Sequence, residues 1–178
     1  MIIIEDYKAK ARWLYGGNKP QQVIRAFISD ASLSMLLYRS MAYCNKFFLS
    51  KPFAAIFCKL NSIICGAVVG RNALFGNNFV ILHSVGVVIN GKVRGGDNIF
   101  LESGVVIGEE KRGCPVLGNN IFIGSGAKIL GAITLGSNVT VGANAVVVKS
   151  VPDDAVVGGV PAKIIRFKSS SEVGFFNE

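Results

Sequence analysis

The chain carries one histidine, His83, and a lone imidazole is the first place to look for chemistry. Neutral imidazole takes a proton from a hydroxyl near neutral pH, because its unperturbed pKa is about 6.5. No other side chain here does so as readily. His83 lies in Ile81-Leu82-His83-Ser84-Val85-Gly86-Val87-Val88-Ile89, an apolar run in which an imidazole needs a reason. The bland reading is a histidine hydrogen-bonded at a turn; the sharper one is a general base. A second reactive side chain is Cys114, in the charged run Glu109-Glu110-Lys111-Arg112-Gly113-Cys114-Pro115. A thiol is a useful nucleophile only with a base or cation beside it, and the sequence sets no base partner near Cys114.

What must position these residues is a ruler with six-residue divisions. Stepping by six from Val69 gives Phe75, Ile81, Val87, Val93, Ile99, Val105, Lys111, Leu117, Ile123, Ile129, Leu135, Val141 and Val147, and thirteen of these fourteen positions are apolar. Neither a helix (period 3.6) nor a simple strand (period 2) produces that step. Gly often follows the mark, as in Val69-Gly70, Phe75-Gly76, Leu117-Gly118, Ile123-Gly124, Leu135-Gly136 and Val141-Gly142. Small or apolar residues stand four positions after many marks: Ala73, Val85, Ile121, Ala127, Ile133, Val139 and Ala145. This is the signature of a parallel β-helix. Three hexapeptides close one triangular coil, the marks point inward, and coils stack at roughly 4.8 Å. No coil buries its inner face alone, so the stack is the stable unit. Glu102, 19 residues after His83, falls about one coil above it and is the candidate to orient the imidazole. The competing reading is a solvated Glu, and a backbone carbonyl would serve His83 equally well.

The length of 178 residues suits one domain with a small appendage. Four cysteines (Cys44, Cys58, Cys65, Cys114) show no CxxC spacing, and with one histidine no metal site of the Cys/His zinc kind is expected. Met1-Ile2-Ile3-Ile4 runs straight into Glu5-Asp6, which does not read as a secretory signal. No uncharged apolar run reaches about 18 residues, so no spanning helix is expected, and the setting reads as reducing and cytoplasmic. Residues 1–60 hold nine Lys/Arg against three Asp/Glu, and residues 61–178 ten against eight. The positive charge thus belongs to the N-terminal third, either as a solvated helix face or as a contact with the inner face of an anionic membrane. Without a basic stripe carrying interleaved aromatics, nucleic acid is not an expected partner.

Residues 1–65 read as an N-terminal helical segment. Its first 19 residues are mixed and close in the loop Gly16-Gly17-Asn18-Lys19-Pro20. A short helix follows over 21–30, and Ser32 or Ser34 is placed to cap the next one. Pro52 opens a further helix over 53–60, with an apolar face of Phe53, Ile56, Phe57 and Leu60. These helices are expected to cover the open base of the solenoid, since a bare edge invites aggregation. The coils occupy about 66–150 and the β-helix domain 66–166. The single irregular step, at Lys111, marks a loop thrown from a corner over 109–115. Residues 167–178 read as a flexible tail.

Several motifs in this order resemble the core of serine O-acetyltransferases. They are the run from His83 through Gly86-Val87-Val88-Ile89, Gly104-Val105-Val106-Ile107-Gly108, Ile123-Gly124-Ser125-Gly126-Ala127-Lys128-Ile129-Leu130-Gly131, Val141-Gly142-Ala143-Asn144-Ala145-Val146-Val147 and Gly159-Val160-Pro161-Ala162-Lys163. The likeness covers about 32–166, with Leu36-Leu37-Tyr38-Arg39 matching the family's preceding helix. It is closer still to shorter relatives found with polysaccharide biosynthesis. The resemblance implies a mainly β fold, a left-handed parallel β-helix of hexapeptide repeats with an N-terminal α-helical cap. It implies homotrimers that bind acetyl-CoA in a cleft between subunits, with His83 as general base for direct transfer. Ser125, Gly126, Ala127, Gly142 and Ala143 would line the pantetheine channel. Pro161, Ala162 and Lys163 would lie toward the nucleotide end, and Lys149, Lys163 and Arg166 suit the CoA phosphates.

Two departures bear on the acceptor. The family's serine enzymes place a second histidine before a proline where this chain has Cys114-Pro115, and an orienting Asp fifteen residues before the base, where this chain has Val68. Both point away from serine as acceptor, and the Cys-Pro resembles that of the shorter relatives, sugar O-acetyltransferases, which favours a saccharide hydroxyl. Serine O-acetyltransferase is the alternative enzyme. A β-helix carbonic anhydrase fails for want of about three histidines. A reading of another class, a non-catalytic trimeric scaffold, predicts no CoA binding and indifference to His83.

Overall fold

The computed structural model describes residues 2–110, 113–169 and 172. Four helices come first: α1 (Ile2–Tyr15), α2 (Pro20–Ile28), α3 (Ser32–Cys44) and, after a 3-10 turn at Phe48–Ser50, α4 (Lys51–Cys65). The solenoid then winds upward. Its first coil is β1 (Val68–Val69), β2 (Leu74–Phe75) and β3 (Phe79–Ile81). The second is β4 (Val88–Ile89), β5 (Arg94–Gly95) and β6 (Ile99–Leu101). The third is β7 (Val106–Gly108), β8 (Val116–Leu117) and β9 (Ile121–Ile123), and the fourth β10 (Lys128–Leu130), β11 (Thr134–Leu135) and β12 (Thr140–Val141). A partial coil, β13 (Val146–Val147) and β14 (Ala155–Gly158), is closed by β15 (Lys163–Phe167), which pairs antiparallel with β14 and covers the top edge.

Three parallel sheets form the walls: β1-β4-β7-β10-β13, β2-β5-β8-β11, and β3-β6-β9-β12-β14. All thirteen apolar marks are buried; Lys111 lies outside the described residues. The register, however, is not a uniform six. Val69 pairs with Ile89, Ile89 with Ile107, Ile107 with Ile129 and Ile129 with Val147. Phe75, Gly95, Leu117 and Leu135 form the second column, and Ile81, Leu101, Ile123, Val141 and Val157 the third. The corner between Ile81 and Ile89 therefore holds two extra residues, and the one between Ile107 and Leu117 four. Together they make one hexapeptide, so the ruler falls back into phase at Leu117. Between the two corners the marks are buried residues two places before the stacked ones. Val85, counted with the inward small residues, is instead exposed on the first enlarged corner.

The edges of the stack are tied by side chains as well. Asn78, Asn98, Asn120 and Asn138 each donate from Nδ2 to the next residue up, at 2.6, 2.8, 2.9 and 2.8 Å, ending on Asp154 Oδ1. All five are held at positive φ, a conformation that Asn and Asp tolerate better than other side chains.

The helical cap differs from expectation in detail. Residues 2–15, read as mixed, form α1, which lays Trp13 on Phe100 and Phe122 of the outer wall. Neither serine caps α3: its N-cap is Ala31, at φ 61°. The helix foreseen over 53–60 runs the full length of α4, and it is turned. Ala54 and Asn61 are its buried residues, while Phe53 and Ile56 face outward. The cap does cover the base: α4 packs on β1, and α1 and α3 on β3. Arg39 fastens it. Its Nε and Nη2 donate to Asp6 at 2.7 and 3.0 Å, and Nη1 and Nη2 to the carbonyls of Phe75 and Gly76 at 3.0 and 2.6 Å. Asp6 Oδ1 also accepts the Phe79 amide at 2.9 Å. Helix, helix and first coil thus meet at one buried ion pair.

Of the stretch read as a tail, the Lys168 amide donates to the Asp154 carbonyl at 2.7 Å, and Glu172 pairs with Arg166 at 2.7 Å. Residues 170–171 and 173–178 lie outside the described residues.

Removing Arg39 strands the Asp6 carboxylate, so Arg39→Leu should lower unfolding free energy by about 3–5 kcal/mol in a denaturant titration. A loss within about 0.5 kcal/mol would mean the pair does not anchor the cap.

Candidate active site

His83 stands on the enlarged corner after β3, one of the two residue positions by which that corner exceeds its neighbours above. Extra residues cannot enter a strand without shifting the inward set, so they bulge at the corner and lift the imidazole clear of the wall. Its side chain is 57% exposed, and Nδ1 lies 2.9 Å from Asp30 Oδ2. With Nδ1 engaged by a carboxylate, Nε2 is the nitrogen left to accept a proton.

Asp30 comes from the turn between α2 and α3, 53 residues upstream. Its other oxygen accepts the Ala31 amide at 2.7 Å, which sets the carboxylate plane. The buried Lys10 amine of α1 holds the turn from beneath, donating to the Asp30 carbonyl and, at 3.2 Å, to Ser32 Oγ. Burial pushes that amine down to about 8, against the pull of the Asp30 charge. Tyr7 Oη donates to the Ser32 carbonyl at 2.9 Å. The His83 hydrogen bond holds the Asp30 carboxyl below the usual range, with partial burial opposing. A depressed carboxylate contributes its stability above the unfolded value of about 3.9 and loses it as pH falls through the folded one. Asp30 is therefore ionised beside His83 across the neutral range.

The other candidates divide between two corners. Above His83 stand Glu102, then Ser125 and Gly126, then Gly142 and Ala143, each on the turn that follows a strand of the same wall. Their backbones are joined: Gly104 N donates to Val85 O, Gly126 N to Ser103 O, and Asn144 N to Ser125 O, at 2.9, 2.8 and 2.8 Å. Ala127 is buried behind this column. Pro161 and Lys163 lie at its top, where Ala162 N donates to Val146 O at 2.8 Å. At Gly126, where φ is +72°, a Cβ would come 2.2 Å from Asn144 Oδ1, and Lys128 Nζ donates to the Gly104 and Gly126 carbonyls along the column at 2.8 and 2.7 Å. Below it, an open cleft of about 370 Å³ beside the dyad is lined by Asp30, Ser32, Ile64, Gly66, Ser84 and Val85, among others.

Lys149 and Cys114 are on the next corner, beyond the β1-β4-β7-β10-β13 wall. Cys114 follows Gly113, which exchanges backbone bonds of 3.0 and 3.1 Å with Glu110, and Lys92 pairs with Glu109 at 2.7 Å. Burial raises the Cys114 thiol, with Glu109 adding to it, which keeps it protonated and a poor nucleophile. Glu102 is half-buried and makes no side-chain hydrogen bond among the described residues; the orienting role assigned to it falls to Asp30. Sequence reasoning searched for a carboxylate at repeat spacing and so missed one in the cap. The available signal was that Asp30 is the sole acidic residue between Asp6 and Asp97.

Comparison with known proteins agrees with this architecture. The bacterial transferase hexapeptide family, of six repeats, matches residues 114–149. The Escherichia coli protein named for colanic acid biosynthesis acetyltransferase, WcaB, is 40% identical over 141 residues, 73% of this chain and 87% of that protein. The chain belongs to the hexapeptide-repeat acetyltransferases. Serine acetyltransferase of Mycobacterium tuberculosis is 40% identical over 120 residues, which are 65% of this chain, and the chain spans only about half, 52%, of that relative's length. Among solved structures, serine acetyltransferase of Brucella abortus in complex with coenzyme A superposes with a TM-score of 0.85 at 26% identity, covering 94% of this chain and 68% of that one. For this hexapeptide acetyltransferase, then, the parallel solenoid with its helical cap is the family's fold.

Asp30→Asn presents an amide N–H to Nδ1 and forces the tautomer in which Nε2 is protonated. Its turnover should fall by about 10²–10⁴-fold, as far as that of His83→Ala, while Glu102→Gln stays at the wild-type rate. Steady-state rates of the three variants decide this, and the reverse ranking would return the orienting role to Glu102.

Proposed function

We propose that this hexapeptide acetyltransferase moves acetyl from acetyl-CoA to a hydroxyl of a saccharide or surface-polysaccharide precursor. The observation that carries the reading is the Asp30–His83 dyad at the foot of the corner column. His83 Nε2 takes the proton of the acceptor hydroxyl as its oxygen attacks the thioester carbonyl. The tetrahedral adduct collapses, the C–S bond breaks, and the CoA sulfur leaves with the proton returned from the imidazolium. No acetyl-enzyme forms, and the protonated Cys114 has no part in the bond changes. Asp30 keeps Nε2 the basic nitrogen and stabilises the imidazolium.

Acetyl-CoA is the co-substrate in this reading. Its pantetheine arm would follow Ser125, Gly126, Ala127, Gly142 and Ala143, and Lys163 would meet the phosphates beside Pro161. Lys149 and Cys114, one wall away, would reach the same site only from a neighbouring copy. The exposed apolar residues Ile28, Ile63, Ile64 and Val85 around the cleft fit such a contact, which supports a homotrimer with sites between subunits. The choice of a saccharide rests on Cys114-Pro115 in the acceptor loop and on the WcaB relative. Serine is the second reading, favoured by the serine acetyltransferases among the relatives.

Free-thiol release from acetyl-CoA, measured with saccharide and serine acceptors, should depend on the saccharide and fall by about 10²–10⁴-fold in His83→Ala. Release driven by serine would replace the saccharide reading. A full rate in the His83 variant would overturn the mechanism.

A further inference from the structure

The cap leaves a large apolar patch facing away from the solenoid. Residues 47–49 are Phe-Phe-Leu, and Phe48 and Leu49 are 82% and 87% exposed. Phe53 and Ile56, on the first turns of α4, continue the patch outward, and Tyr43 closes it, its ring 5.6 Å from that of Phe47. Isolated exposed apolar residues are ordinary, but a contiguous patch of this kind marks a binding surface. The helical stretch Phe48–Cys65 is apolar and long enough to cross a membrane by length and composition, and only 11% of it is buried.

Charge identifies the partner. Residues 31–96 contain no Asp or Glu at all. The cations beside the patch are Lys46, Lys51, Lys59 and Arg71, all exposed, and Lys51 Nζ lies 5.6 Å over the Phe48 ring. Apolar side chains ringed by cations, with no carboxylate among them, match the headgroup layer of an anionic bilayer. Spanning is ruled out by the attachments of α4. Asn61 is buried against the rest of the cap, and Gly66 turns the chain directly into β1.

We propose that residues 47–49 and the outer face of α4's first turns dock on an anionic lipid surface, with the helix lying in the interface. The acetyl-transfer reading is not needed for this. A membrane-associated acceptor, such as a lipid-linked saccharide, would then be met at the surface rather than drawn from solution.

The test is flotation of the full chain with vesicles of phosphatidylcholine alone and of phosphatidylcholine with phosphatidylglycerol. The oligomeric mass of each variant is followed by light scattering. The wild type should float with the anionic vesicles and not with the neutral ones. Phe48→Ser with Leu49→Ser should lose binding at least about tenfold, since each buried methylene contributes about 0.8 kcal/mol, close to fourfold. Lys46→Glu with Lys51→Glu should lose it likewise and weaken its salt dependence. Failure of the wild type to float, or flotation of either double variant at the wild-type level, overturns the proposal. A fall in oligomeric mass in Phe48→Ser with Leu49→Ser also overturns it, by assigning the patch to a contact between copies.

Discussion

Register is the constraint on which everything else rests. Each coil hydrogen-bonds to the coils above and below, and its inward residues stack in columns such as Val69-Ile89-Ile107-Ile129-Val147. A single inserted residue within a strand would turn the buried set outward. Length can therefore change only at corners. The chain lengthens them twice, by two residues before Ile89 and by four before Leu117, and shortens one by two between Val147 and Val151. The two enlarged corners carry His83 and Cys114. The side chains with the most chemistry stand where the ladder has room for them.

The solenoid alone does not finish the site. The partner of His83 Nδ1 is not a residue of the repeat. The partner arrives with the cap. Arg39 and Asp6 lock α3 and α1 to the first coil, and Lys10 and Tyr7 hold the turn that presents Asp30. Folding of the cap and placement of the Asp30–His83 contact are thus linked through one buried ion pair and one buried lysine. Buried ion pairs contribute little net stability; here the pair fixes where a carboxylate stands.

The repeat was legible in the sequence because inward positions on a stacked wall tolerate only apolar side chains, and thirteen marks show it. Ser125, Gly126 and Ala143 were singled out by the family resemblance and not by the period; the fold stacks them on one corner column. The two-residue enlargement at His83 was not, because the later four-residue one restores the phase and hides it. Asp30 was missed because a contact across 53 residues between a loop and a coil has no periodicity. The orientation of α4 was misjudged for a related reason: an apolar stripe of Phe53, Ile56, Phe57 and Leu60 says that a face avoids water, not which neighbour covers it. The asparagine column ending at Asp154 follows the same coil spacing, but Asn reads as loop until its partner one coil away is known.

Whether Asp30 fixes the tautomer of His83 can be read directly, since the chain has a single histidine. Nitrogen-15 NMR of the untagged protein, at a pH where the imidazole is neutral, gives the protonation of each ring nitrogen without overlap. A proton on Nδ1 is expected in the wild type, with its transfer to Nε2 in Asp30→Asn. A wild-type imidazole protonated on Nε2, or a spectrum indifferent to Asp30→Asn, would contradict that role for Asp30.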